Sequence, residues 1–147
     1  MRHSIRTLLL SFALAGALSV SLLASTPASA ATTLELALVT KINASRAVYG
    51  LRALPIRSGL TWRAHDHSLS MARQHRIYHS DLSKVCCYIS VGENVGYATT
   101  IYRLHRAFLD SSAHRANIMG TRWDSIGVGV VQSGGYLWVT EIFRDTA

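Results

Sequence analysis

The chain is poor in the residues that either staple a small fold or keep a chain unfolded. Its 147 residues include two prolines, two cysteines and only 16% charged residues, beside 49% hydrophobic ones. That balance excludes a disordered or collagen-like chain. The two cysteines, Cys86 and Cys87, are adjacent and neither has a distant partner, so no long loop is closed by a disulfide. A vicinal disulfide, an intermolecular bridge, or one buried and one exposed thiol all remain open, and the pair points to a structural rather than a redox role. Acidic residues are scarce, 8 against 15 Lys and Arg, for a net charge of +7, and Lys41 and Lys84 are the two lysines. No arginine cluster is interleaved with aromatics, which argues against single-stranded nucleic acid as a partner. A moderately cationic exported domain meets anionic cell-wall polymers or lipid headgroups more readily.

Long apolar runs are absent after residue 30, so the remaining chain has no transmembrane segment. Before it, Arg2 and Arg6 precede an apolar run from Leu8 to Leu23 and the small triplet Ala28-Ser29-Ala30. This is the layout of a secretory signal peptide, with cleavage expected after Ala30. Residues 1–30 are therefore assigned to the signal peptide and residues 31–147 to one domain, secreted and extracellular, whose charge falls by two, from +7 to +5. At this length one hydrophobic core fits and two do not.

Hydrophobic spacing predicts helices at Leu34–Tyr49, with Leu34, Leu38, Ile42 and Val48 inward, at Leu60–Ile77, and from Ile101 to about Ser111. A short helical turn is expected at His114–Met119. Between His79 and Gly96 the pattern reads as a loop with a brief strand at Tyr88–Val91. Ser125–Val131 and Tyr136–Phe143 read as a hairpin around Ser133-Gly134-Gly135. The order implies an α+β domain whose small antiparallel sheet is covered by helices.

Three polar clusters sit at element edges: His79-Ser80-Asp81, Gly92-Glu93-Asn94, and His114-Arg115-Ala116-Asn117. Two imidazoles and a carboxylate are a donor set for a divalent cation such as zinc, or for acid/base chemistry. The same side chains can equally satisfy buried backbone groups. Asn94 and Asn117, whose amides donate and accept at once, are assigned to architecture.

The succession Asn43-x-x-Arg46, Ala64-x-x-His67-Ser68-x-x-Met71-Ala72, His79-Ser80, Gly92-Glu93-Asn94-Val95, His114-Arg115-x-Asn117-Ile118-Met119 and Ile126-Gly127-Val128-Gly129 resembles the CAP superfamily. That superfamily comprises cysteine-rich secretory, antigen 5 and pathogenesis-related proteins, and the resemblance is to its short bacterial secreted form. It implies a three-layer α-β-α sandwich and a surface cleft with two histidines and two acidic residues. His79, Glu93 and His114 match three places of that tetrad. The fourth falls at Ser111, with Asp110 one residue earlier. The family's fold does not fix one activity, and the leading expectation is a non-enzymatic binding module for a small ligand, a lipid or a weakly held divalent cation through His79, His114 and Glu93. A metal-assisted, protease-like hydrolase and a wall-associated structural or adhesion domain are the alternatives.

Overall fold

The computed structural model describes residues 32–146; the signal peptide assigned above lies outside them. Four helices and three strands follow in the order α1 (Thr33–Val48), α2 (Ser58–Gln74), β1 (Ser90–Ala98), α3 (Ile101–Asp110), α4 (Ser112–Ile118), β2 (Ser125–Ser133) and β3 (Tyr136–Asp145). The strands form one antiparallel sheet in the order β1-β3-β2. The β2–β3 hairpin turns through Gly134 and Gly135, both at positive φ (59° and 79°), where glycine carries no steric penalty.

Helix α2 covers one face of the sheet, and α1, α3 and α4 cover the other. Strand alternation decides which residue goes where. Ile126, Val128 and Val130 of β2, with Val139 and Phe143 of β3, pack on Leu38, Ile42, Leu104 and Phe108. Ile142 and Trp138 point the opposite way, onto Leu60 and Ala64 and onto Met71 and Ala72. Gly127 and Gly129 alternate with those valines because α2 presses on them. A Cβ at Gly127 would lie 2.3 Å from the Leu60 backbone, and one at Gly129 would lie 2.1 Å from the amide of His65. The α+β class and the sandwich agree with expectation.

Four local expectations are corrected. Val48 is 81% exposed and Leu34 37%. The buried stripe of α1 is instead Glu35, Leu38, Val39, Ile42 and Arg46, because two charged side chains find partners inside. Arg46 donates from Nε to the Arg52 carbonyl and from Nη1 to the carbonyls of Ile118 and Gly120. Burial, and then the neighbouring charge of Arg52, lower its pKa. Helix α2 stops at Gln74 rather than Ile77, since His75 adopts a left-handed conformation (φ 48°) that ends the helical ladder. The brief strand begins at Ser90, not Tyr88, and runs nine residues. Gly92-Glu93-Asn94 thus lies within β1 rather than in a loop. Cys86 and Cys87 form a vicinal disulfide just ahead of that strand.

Candidate functional site

The segment after α2 is held to that helix before it reaches the site. His67 Nε2 donates to the Tyr78 carbonyl at 2.7 Å, and the Tyr78 hydroxyl bonds Ser70 and Gln74. The next residue, His79, donates from Nδ1 to Glu93 Oε1 at 2.7 Å. Ser80 completes the carboxylate's shell, its amide donating to Oε1 at 2.9 Å and its hydroxyl to Oε2 at 2.5 Å. The Glu93 side chain is 1% exposed, whereas that of His79 is 64% exposed. A buried carboxylate therefore fixes the ring of an accessible imidazole.

The second imidazole comes from the other side of β1, which is an edge strand. Ser111 is at once the last cap of α3 and the first of α4, and its hydroxyl bonds His114 Nδ1 at 2.8 Å. The ring of Phe108 stacks on His114 with centroids 4.7 Å apart. Burial, and then the charge on His79, lower the pKa of His114, so the two imidazoles sense one another. Asp110 faces away and is bridged by Arg106 through both carboxylate oxygens. Ser111, not Asp110, occupies the place beside His114.

Asn94 and Asn117 tie these halves together. Asn117 donates to the Glu93 carbonyl and to Asn94 Oδ1, while Asn94 donates to the His114 carbonyl and to Glu141 Oε2. The absence of a side chain at Gly92 makes room for Asn117, whose Oδ1 would be 2.7 Å from a Cβ there. Glu141, opposite Asn94 in the register, is fully buried; its Oε1 has no partner, and burial raises its pKa to about 8. Burial thus favours its protonated form.

The donor set does not fit a metal that needs three protein ligands. Both oxygens of Glu93 are engaged by His79 and Ser80, which leaves the Nε2 atoms of His79 and His114. Among the described residues, no three His, Cys, Asp or Glu side chains converge as a metal-binding group. A catalytic zinc usually keeps three protein ligands and one open position. Glu93 thus orients His79 through Oε1 and is held by Ser80 at both oxygens. Beside His79 and Ser80 runs a groove of about 290 Å³, walled by Trp62, Asp66, Tyr78 and Lys84.

Glu141 and the groove-facing Trp62 escaped the sequence reading, and Ser80 was placed beside His79 but not as a partner of Glu93. Glu141 carried a signal, because Leu137, Val139, Glu141 and Phe143 share one face of β3 and three of them are apolar. Trp62 carried none, since its role depends on where the segment after α2 returns.

The family model described as CAP, the cysteine-rich secretory protein family, matches residues 39–143. No curated protein matches the chain. Among solved structures, the chain is similar to an outer surface protein from Borrelia burgdorferi, with 17% identity, a TM-score of 0.71 and coverage of 80% of this chain and 97% of that one. It is also similar to an extracellular SCP-domain protein from Bacillus anthracis, with 20% identity, a TM-score of 0.68 and coverage of 76% and 40%. A cysteine-rich secretory protein from Staphylococcus aureus gives 25% identity, a TM-score of 0.64 and coverage of 76% and 38%. The chain therefore spans less than half the length of the last two proteins. No helix among the described residues is long and apolar enough to cross a membrane.

Proposed function

Because the chain belongs to the cysteine-rich secretory protein (CAP) family, we propose that it is an exported CAP-domain binding module whose cleft between His79 and His114 holds a ligand without transforming it. One observation carries this reading. Each imidazole is anchored through Nδ1, to Glu93 or to Ser111, and neither Nε2 has a hydrogen-bond partner among the described residues. Two oriented imidazoles, of which His79 lines the polar groove, can accept a small polar ligand or a loosely held cation. A hydrolase needs a firmly ligated metal or an activated nucleophile. With Glu93 engaged, the metal lacks its third ligand. The Ser111 hydroxyl, which makes no cap hydrogen bond, meets His114 Nδ1, but among the described residues no third group orients that imidazole through Nε2. The groove's charged and hydroxyl lining favours a small polar ligand over a lipid tail.

Zinc serves as the probe of the imidazole pair. Calorimetric titration should give weak binding that falls about tenfold or more in either His79→Ala or His114→Ala. Binding unaffected by both substitutions would overturn the cleft. Tight binding accompanied by histidine-dependent peptide hydrolysis would replace the binding module with the hydrolase. Export is tested separately by sequencing the N-terminus of protein recovered from the medium, which should begin at Ala31.

A further inference from the structure

We infer that the groove between the start of α2 and the end of β3 is an anion site suited to a phosphate group. This inference does not depend on the cleft described above. Arg57, Arg63 and Arg144 converge on an open groove of about 270 Å³, floored by Ser58, Gly59 and Cys86. None of the three guanidinium groups forms an ion pair among the described residues; the bridges there join His65 to Glu35, His79 to Glu93, Lys84 to Asp81 and Arg106 to Asp110. Asp124, a carboxylate within electrostatic reach of Arg144, already accepts from Ser125 and from Thr146.

Arg144 points most directly to a ligand. Its Nε is buried with no hydrogen-bond partner, and its Nη1 reaches the Cys86 carbonyl only at 3.5 Å. A buried charged donor left unmatched is unfavourable unless something accepts from it. Three like charges around one groove repel one another until an anion intervenes. The first turn of α2 adds to this field, since α2 starts on Arg57 with no side-chain cap receiving its free amides. A phosphate matches this donor array better than a carboxylate does. It presents more oxygens in a tetrahedral arrangement, and each planar guanidinium can engage two of them. Arg63 also lines the groove beside His79, so a phosphate held here could belong to a molecule that extends toward that groove.

The test is an NMR titration of the protein at fixed ionic strength with inorganic phosphate and, separately, with dimethyl phosphate. Saturable shifts should be confined to the amides of Ser58, Gly59 and Leu60 and to the Arg144 Nε–H. Arg57→Gln and Arg63→Gln should each weaken binding about tenfold, whereas Arg103→Gln, which removes the same charge from α3, should not. His79→Ala should also leave phosphate binding intact. Response to dimethyl phosphate as well as to inorganic phosphate would identify phosphodiesters as carriers, and response to inorganic phosphate alone would identify terminal phosphates. Shifts spread over the basic surface, an equal loss in Arg103→Gln, or no saturation with either probe would overturn the proposal. Arg57 is exposed, so its substitution keeps the test decisive even if Arg144→Gln fails to fold.

Discussion

The two edges of the sheet are closed by almost the same chemistry. At the β2 edge, buried Glu35 accepts from His65 Nδ1 at 2.9 Å, from the Val130 amide at 3.1 Å and from the Thr32 amide at 2.7 Å. At the β1 edge, buried Glu93 accepts from His79 Nδ1, the Ser80 amide and the Ser80 hydroxyl. Each is a histidine paired with a buried glutamate and supported by an amide, yet only one lies in a candidate cleft. The difference is in what the donors belong to. Glu35 joins α1, α2 and β2, and it occupies an unpaired strand amide that would otherwise face the interior. Glu93 holds a surface segment whose donors could turn to water, and a second imidazole stands across the strand from it. A histidine–glutamate pair by itself is therefore no diagnosis of a site.

Removing each carboxylate should separate the two edges. Glu35→Ala strands the Val130 amide and dissolves the capping box of α1, so urea unfolding should show a loss of about 3 kcal/mol or more. Glu93→Ala should lose distinctly less, and equal losses would mean that both edges are scaffold.

A third buried glutamate, Glu141, sharpens the contrast because it has no cationic partner. Its pKa is raised to about 8 in the fold. The folded state therefore binds more protons than the unfolded state between the ordinary carboxylate value and about pH 8. Its contribution to stability is complete at low pH and is lost as pH rises across that window. Glu141→Gln should be more stable than the wild type by on the order of 2 kcal/mol at pH 8, with the gain vanishing near pH 4. A gain independent of pH would show that Glu141 is not held neutral.

Asn94→Ala or Asn117→Ala should each cost about 1–2 kcal/mol, read as a lower Tm, because buried carbonyls and amides lose their partners. Glu93→Gln keeps the shape and should change stability by less than about 1 kcal/mol. The same substitution should weaken zinc binding about tenfold, as loss of an orienting carboxylate does. A stable Asn94→Ala that no longer binds, beside a Glu93→Gln that unfolds, would exchange scaffold and site.

The smallest effect concerns acid. Burial, and then the Lys41 charge, lower the pKa of His105, as burial and His79 lower that of His114. Their contribution is complete above the ordinary imidazole value of about 6.5 and declines as pH falls through the lowered ones. His105→Gln should flatten the acid side of a Tm-against-pH curve, and an unchanged slope would place its origin elsewhere.

Local pattern was enough for the elements whose neighbours are close in sequence. Threonines ahead of the helical periodicity, Thr32 and Thr100, cap α1 and α3. Ser133-Gly134-Gly135 turns a hairpin, and Ile126, Val128 and Val130 face the core as strand alternation requires. The ordered motifs from Asn43 to Gly129 also brought His79, Glu93 and His114 into one expectation, because their order along the chain carries the resemblance. What the sequence left open were matters of partnership across the fold. Val48 is apolar yet exposed, while Glu35 and Arg46 are charged yet buried, since carbonyls and amides from distant segments receive the charged pair. That Gly92-Glu93-Asn94 is strand rather than loop depends on β3, some fifty residues later, supplying its ladder. That Glu93 is held by His79 and Ser80 depends on the segment after α2 folding back onto β1. The physical reason is common to all of these: burial of a polar group is favourable only beside its acceptor or donor, and tertiary structure alone determines where that partner stands.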